Sequence, residues 1–263
     1  MKNTNMTSRT SMILLILVVS LLLLCAGMAS AQLTATANHD HITVDFFYHG
    51  STISVRGISD PGTDLIIKIA SEDGKQALRK KGKVGGFLWM NVGELEVEHV
   101  PKVYFLHSTR NIEDILSRDE MNRYVIGYPA LEKYAKMNTT DEAEKDRWFS
   151  EFVKFKESSN VYGTSSGKIS LVNKDGEQDY YILTEWPYQA APGKYTVTVY
   201  AVKGKKVIET ATSNVLVEQV GMVKSFASMA KNNAATYGII AILAALTAGF
   251  GVGLVFRKNG GAH

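Results

Sequence analysis

Hydrophobic order along this chain takes three forms. Up to His107 the apolar residues alternate with polar ones in short runs: Ile42–Tyr48, Thr52–Arg56, Asp64–Ala70, Phe87–Asn91 and Val103–His107. A period of two places apolar side chains on one face of a strand. Gly50, Asp60-Pro61-Gly62 and Asp73-Gly74 supply the turns between runs. From about 111 to 159 charge density rises and apolar residues fall at helical spacing. The Thr139 hydroxyl can cap a helix there while Glu142 reaches back in a capping box. Trp148, Phe149, Phe152, Val153 and Phe155 then share one helical face, which reads as core packed on sheet. Alternation resumes at Lys168–Asn173, Tyr180–Thr184, Tyr195–Val202, Lys206–Thr210 and Val215–Val220. The entry Ala191-Pro192-Gly193-Lys194 into alternating Tyr195, Val197, Val199 and Ala201 fits a late strand of an immunoglobulin-like sandwich. The expectation is a mainly β protein, an immunoglobulin-like antiparallel β-sandwich over residues 32–221, with a helical insertion at about 111–159. Two small domains are the alternative.

The third form of order is Tyr237–Phe256, twenty residues without a charge. At 1.5 Å per residue this makes about 30 Å of helix, the thickness of a bilayer's hydrocarbon core. Arg257 and Lys258 follow at once, and such a positive flank stays in the cytoplasm, so residues 257–263 read as a cytoplasmic tail. Inside the span Ala241, Ala245, Gly249 and Gly253 recur every four residues. That stripe would let a second helix approach closely, from another copy or from a multi-span partner. The competing reading is that Gly and Ala are common in membrane helices anyway. Just before the span, in residues 222–236, Met222, Val223, Phe226, Met229 and Ala230 share a face, as in a short amphipathic helix on the outer leaflet.

Met1–Ala31 reads as a signal peptide: Lys2 and Arg9 precede the apolar run Met12–Leu24, and Ala29-Ser30-Ala31 gives a small-x-small cleavage pattern. An uncleaved anchor is its rival. Cys25, the only cysteine, follows Leu24 where a lipoprotein site needs a small residue, and leaves with the signal. A mature chain without cysteine excludes disulfides, thiolate metal sites, iron–sulfur clusters and c-type haem attachment. The net charge of +3 also belongs to the ends. Lys2, Arg9, Arg257 and Lys258 are four of the 29 basic residues, and removing them leaves 25 basic against 26 acidic in the exported part. Nucleic-acid binding thereby loses its global support.

Several motifs carry candidate chemistry. Arg79, Lys80, Lys81 and Lys83, with Lys75, form the densest charge run, suited either to an oxyanion or acidic partner or to guarding an edge strand against aggregation. Gly163-Thr164-Ser165-Ser166-Gly167 matches G-x-S-x-G, but the nucleophile elbow needs a strand before it and a helix after it, and here the order is reversed. It reads as a Ser/Gly loop. His39 and His41 can point to one face of an extended segment and begin a metal site if His49, His99 or His107 completes it. A solvated polar segment is the plainer reading. Gly249-Phe250-Gly251-Val252-Gly253 resembles a nucleotide loop only superficially, since it lies inside the span.

The residues Ile53–Gly57, Asp64-Leu65-Ile66-Ile67, the basic run leading into Phe87-Leu88-Trp89-Met90-Asn91, Val100-Pro101-Lys102-Val103-Tyr104 and Ala191–Val197 stand before a Gly-rich span ending in Arg257-Lys258. This layout resembles a family of bacterial transmembrane proteins first defined in alphaproteobacteria, over nearly the whole mature chain. Members usually carry a Gly-Ile-Trp-Val-Asn-like string where this chain has Gly86–Asn91. The resemblance implies no enzyme activity, and it transfers no site residue. Genes of the family lie in some bacteria beside a sulfite-exporter-type permease, which implies an accessory role in transport of sulfur oxyanions or organosulfonates. Pattern and resemblance together give a single-pass protein of the bacterial inner membrane with its β domain periplasmic and no cofactor. It is expected to serve as an accessory subunit of a membrane transport or electron-transfer complex, engaging a permease or electron-transfer subunit, or itself, through the stripe. The alternative is a periplasmic oxyanion-binding or sensing domain using Arg79, Lys80, Lys81 and Lys83. A membrane-tethered hydrolase or metalloenzyme built on Ser165 or on His39 and His41 is a third reading.

Overall fold

A computed structural model of the chain describes residues 32–139 and 142–258, without the side chains of Lys80, Glu142, Ala143 and residues 254–258. The signal peptide expected in residues 1–31 lies outside the described residues, as does the Glu142 side chain of the expected capping box. In chain order the strands and helices begin with β1 Thr36–Ala37, β2 His41–Val44, β3 Ser51–Ser59, β4 Asp64–Ser71, β5 Asp73–Val84, β6 Leu88–Pro101 and β7 Tyr104–Ser108. Helices α1 Ile112–Ile115, α2 Arg118–Tyr124 and α3 Tyr128–Tyr134 follow, then β8 Lys136–Met137 and α4 Glu142–Ser158. The rest comprises β9 Tyr162–Ser166, β10 Ser170–Lys174, β11 Glu177–Trp186, β12 Gly193–Lys203, β13 Lys206–Gln219, α5 Gly221–Asn232 and α6 Ala234–Lys258.

Three sheets result. One has the order β1-β3-β11-β10, a second β2-β13-β12-β4-β7-β9, and a third, smaller one β5-β6-β8. The protein is mainly β, with one long apolar helix at its C-terminal end. Strand β4 explains the layering. Its sequence is apolar on both faces, and Leu65, Ile66, Ile67 and Ile69 are all buried. A strand of that composition needs cover on both sides. On one side Tyr195 of β12, in line with Ile67 and Ile69 through the β12–β4 register, meets Trp186 of β11 edge to face at 4.8 Å. The four-stranded and six-stranded sheets therefore share a core. On the opposite face Lys68 donates to the carbonyl of Tyr124 at 2.7 Å and lies 5.5 Å above the Tyr200 ring. Burial lowers the Lys68 ammonium to about 8. The helices between β7 and β9 thus form a third layer, and their side chains belong to the same buried cluster.

Several sequence expectations change in detail. The run Ile42–Tyr48 is a strand only as far as Val44, because the Asp45 carboxylate accepts from the Phe47 N–H at 2.9 Å and turns the chain. The segments 206–210 and 215–220 form one continuous strand, β13. The string Phe87–Asn91 is the tip of a much longer strand, β6, whose partner β5 contains the basic run. The Gly163–Gly167 loop is mostly strand β9, paired in parallel with β7. On α4, Phe149, Phe152 and Val153 are buried and Trp148 is half-buried, but Phe155 is exposed.

Tyr104 fastens the helical layer to the sheet. Its hydroxyl donates to the Val125 carbonyl at 2.8 Å and accepts from the Gly127 N–H at 3.0 Å. Those two groups flank a bend where Val125 has φ of 50° and Gly127 of 91°. Tyr128 and Tyr162 rings surround the Tyr104 ring, and Phe152 of α4 meets Tyr162 edge-on at 5.8 Å. Replacing Tyr104 by Phe leaves a buried carbonyl and a buried N–H without their partner. The expected loss is about 1–3 kcal/mol, read by denaturant unfolding of the full chain in mild detergent. An unchanged midpoint would show that the hydroxyl does not hold the insertion.

Candidate functional site

The six-stranded sheet is wider than the sheet it packs against, so part of its inner face stays uncovered at the β7–β9 edge. On β7 the register sets Phe105 beside Ile69 and His107 beside Ile67, on the face that meets the other sheet. On β9 the parallel register sets Gly163 beside Phe105 and Ser165 beside His107. Across from them stand the start of β3, Ser51 and Thr52, and the end of β11, Thr184 to Trp186. Together with Lys168, His49 and Tyr188 they line a cavity of about 970 Å³. That volume is within the range of small-molecule sites.

Polar groups inside it are poorly served by the protein. His107 is 5 % exposed, and its Nδ1 lies 2.6 Å from Ser165 Oγ. Its Nε2 has no protein partner. Trp186 is 4 % exposed, and its indole N–H has none either. Buried polar atoms are nearly always hydrogen-bonded, and these two, themselves almost without accessible surface, belong to residues that line one cavity. Burial first, and then the Lys168 ammonium, push the His107 imidazole down to about 4. The ring is therefore neutral at ordinary pH. Lys168 makes part of the lining cationic, while Glu185 contributes a carboxylate at the rim.

The Ser165–His107 pair was not visible in sequence, because 58 residues separate the two. Among the described residues the pair lacks a third group to orient the imidazole. A nucleophilic serine needs an imidazole basic enough to take its proton and oriented by a third group. Here the imidazole is a weak base, its second nitrogen is unpartnered, and Ser165 sits on an extended strand instead of a strained elbow. The sequence offered His107 only as a possible third metal ligand for His39 and His41 and as a polar residue in an alternating strand. Trp186 and Lys168 gave none.

Ser165, His49 and His107, singled out from the sequence, line the cavity, and the other residues singled out lie elsewhere. Arg79, Lys81 and Lys83 are exposed on β5, and the backbone of Lys80 runs between them with its side chain outside the described part. None lines the cavity. Arg79, Lys81 and Lys83 fall at alternate positions of β5 in a two-stranded ribbon, and Lys83 lies 5.4 Å above the Trp89 ring. His41 lies 3.4 Å from Glu218, and His39 is exposed outside any strand. No three His, Cys, Asp or Glu side chains among the described residues are grouped to hold a metal ion. Ala241, Ala245, Gly249 and Gly253 are all exposed on α6, and beside Gly249 and Gly253 an added Cβ would meet nothing within 4 Å.

Within α6, Ala234–Gly253 is long and apolar enough to cross a membrane, with a mean hydropathy of 1.8 and none of that stretch buried by the rest of the chain. The family described as "Putative transmembrane protein (Alph_Pro_TM)" matches residues 32–258, which takes in both the β domain and this helix. The chain belongs to that family. No curated protein and no solved structure matches it. In this Alph_Pro_TM protein the cavity-lining residues and the apolar helix both fall within the matched segment. The depressed His107 sets a pH dependence. Its ordinary value is 6.5 and its folded value about 4, so below pH 6.5 the unfolded chain takes up a proton that the folded chain refuses. The stabilisation is complete above pH 6.5 and declines as pH falls to about 4, by roughly 3 kcal/mol in all. His107→Gln should flatten this part of the stability profile measured by denaturant unfolding between those limits. A variant with the parent's slope would place the titration elsewhere.

Proposed function

We propose that this protein is a single-pass inner-membrane protein that works by binding, not catalysis, with its β domain in the periplasm and its C-terminus in the cytoplasm. The orientation follows from Arg257 and Lys258 after the span and from the leader-like Met1–Ala31. The strand orders support an immunoglobulin-type domain. β1-β3-β11-β10 corresponds to the A-B-E-D sheet, and β13-β12-β4-β7 to G-F-C-C′ of a variable-type sheet. The β5–β6 ribbon and the helical layer are insertions into that plan.

The bound species is a small solute bearing an anionic or other acceptor group, held in the cavity beside Lys168. One observation supports this: His107 and Trp186, both at least nine-tenths buried and each with a ring nitrogen lacking a protein partner, belong with Lys168 to the lining of one cavity. This moves the oxyanion reading from the basic run to a different lysine. Adding phosphate, sulfate, short carboxylates and short sulfonates in turn to the full chain in detergent should raise its Tm with at least one of them. A ligand that stabilises the native state at 100 times its Kd adds about 2.7 kcal/mol. Trp186→Phe, which keeps an aromatic side chain but removes the indole N–H, and Lys168→Met should each abolish the shift. No shift with any of the anions, or one that survives both substitutions, would remove the cavity as the site.

The accessory-subunit reading is favoured by a separate observation, the uncovered stripe of Ala241, Ala245, Gly249 and Gly253. A membrane partner packed there would bring the solute site to a permease or electron-transfer subunit. Ala245→Leu combined with Gly249→Leu should release such a partner from the protein purified in mild detergent. Retention of the partner would take the stripe out of the interface.

A further inference from the structure

The ribbon of β5 and β6 takes no part in the solute cavity, yet its outer half has a composition of its own. Residues 80–93 contain three lysines and no acid, whereas Asp73, Glu94, Glu96 and Glu98 lie nearer the root. At the root Lys75 is paired with Glu96 at 2.7 Å and Glu98 at 3.6 Å. Charge is neutralised there and left cationic towards the tip.

The tip is also amphipathic. Directly paired residues in antiparallel strands share a face. Lys83 pairs with Trp89 and Lys81 with Asn91, while Val84 pairs with Leu88 and Gly82 with Met90 on the other face. The pairing skips Val92, which forms the bulge opposite Lys80 and Lys81. It leans over Gly82, where a Cβ would come within 2.8 Å of it. One face is thus Val84, Leu88, Met90 and Val92, and the other carries Lys81, Lys83 and Trp89. Gly85 and Gly86, with φ of 63° and 82°, make the turn that presents Phe87. Phe87 is 82 % exposed and Trp89 64 %.

Strand register says which end of the domain this ribbon leaves. Gly193 of β12 pairs with Val217 of β13, and Tyr195 of β12 pairs with Ser71 of β4. The last residues of β13 and of β4 therefore lie at one end of the sheet. From β13 the chain enters α5 and the membrane helix, and from β4 it enters the ribbon. Phe46 and Phe47, both exposed, are at this same end, since the Val220 N–H donates to Val44 at 3.0 Å. The 12 residues of β5 give the ribbon a reach of roughly 40 Å at about 3.3 Å per residue.

We propose that the tip, Val84 to Val92, is a second membrane contact that docks on the anionic bilayer surface in which α6 is anchored. Phe87, Leu88, Trp89 and Met90 enter the boundary between headgroups and acyl chains, where aromatic side chains collect. Lys81 and Lys83 face the lipid phosphates. The domain is then held at two points, the helix and the ribbon. This inference rests on the membrane helix and is independent of the solute cavity.

The test uses the full chain carrying Cys25→Ser and Phe87→Cys, labelled with an environment-sensitive fluorophore and reconstituted in vesicles of phosphatidylcholine and phosphatidylglycerol. Val172→Cys serves as the reference, because Val172 is exposed on β10 near the Lys174 to Glu177 turn, away from the Trp186 end. With acyl-brominated lipid the label at 87 should be quenched severalfold more than the label at 172. Lys81→Glu with Lys83→Glu, or vesicles of phosphatidylcholine alone, should lower that quenching at least twofold. Equal quenching at 87 and 172 would overturn the proposal and leave the tip to a protein partner. Quenching at 87 that ignores both the lysines and the lipid charge would overturn the assignment to an anionic surface.

Discussion

The arrangement of this protein depends on where its apolar helix must lie. A helix such as Ala234–Gly253 satisfies its own backbone hydrogen bonds and exposes mostly hydrocarbon, so the bilayer is the medium that accepts it. The end of β13 leads through α5 into that helix. Hydrogen-bond register then passes the constraint across the sheet, from β13 to β12 to β4, because neighbouring strands cannot slide without turning their apolar faces to solvent. The exits into the ribbon and the exposed Phe46 and Phe47 inherit their position from it. One anchor thereby sets which surfaces of the domain are near lipid.

The solute cavity arises from a different mismatch, between two sheets of unequal width. Where both sheets are present, Ile53 and Val55 on one and Ile67, Val197 and Val199 on the other fill the space between them with apolar side chains. Where the four-stranded sheet stops, the inner face of β7 and β9 continues without an opposing layer, and there the chain places His107, Ser165 and Gly163 in place of large aliphatic residues. A small residue and two polar ones at inward positions leave room and one unpartnered ring nitrogen together. Apolar residues at those positions would have closed the gap and made the sandwich more stable. The helical layer, tied down by Tyr104, keeps the outer face of the same strands dry, so the polar groups have only the cavity side to turn to.

The membrane helix, the strands from Thr52 to Ala70 and from Tyr195 to Val202, and the helical segment of 111–159 were legible in the residue order, because each rests on a local period of hydrophobicity. The nature of the Gly163–Gly167 segment was not, since a strand of Tyr162-Gly163-Thr164-Ser165-Ser166 has little apolar alternation and is held by its parallel pairing with β7. Charge density at Arg79–Lys83 is likewise a local property, and only the pairing of β5 with β6 shows which residues stand beside it.

The sequence by itself determined the class of the protein, its apolar span, and the residues that must be buried somewhere, because hydrophobic periodicity and length are read along one dimension. The tertiary structure alone decided that His107 meets Ser165, that Trp186 joins them in one cavity lining with Lys168, and that the ribbon leaves the same end of the sheet as the chain leading to α6. Those relations connect residues that are tens to more than a hundred positions apart. They depend on strand order and register, which the cooperative packing of whole sheets selects and no local pattern encodes.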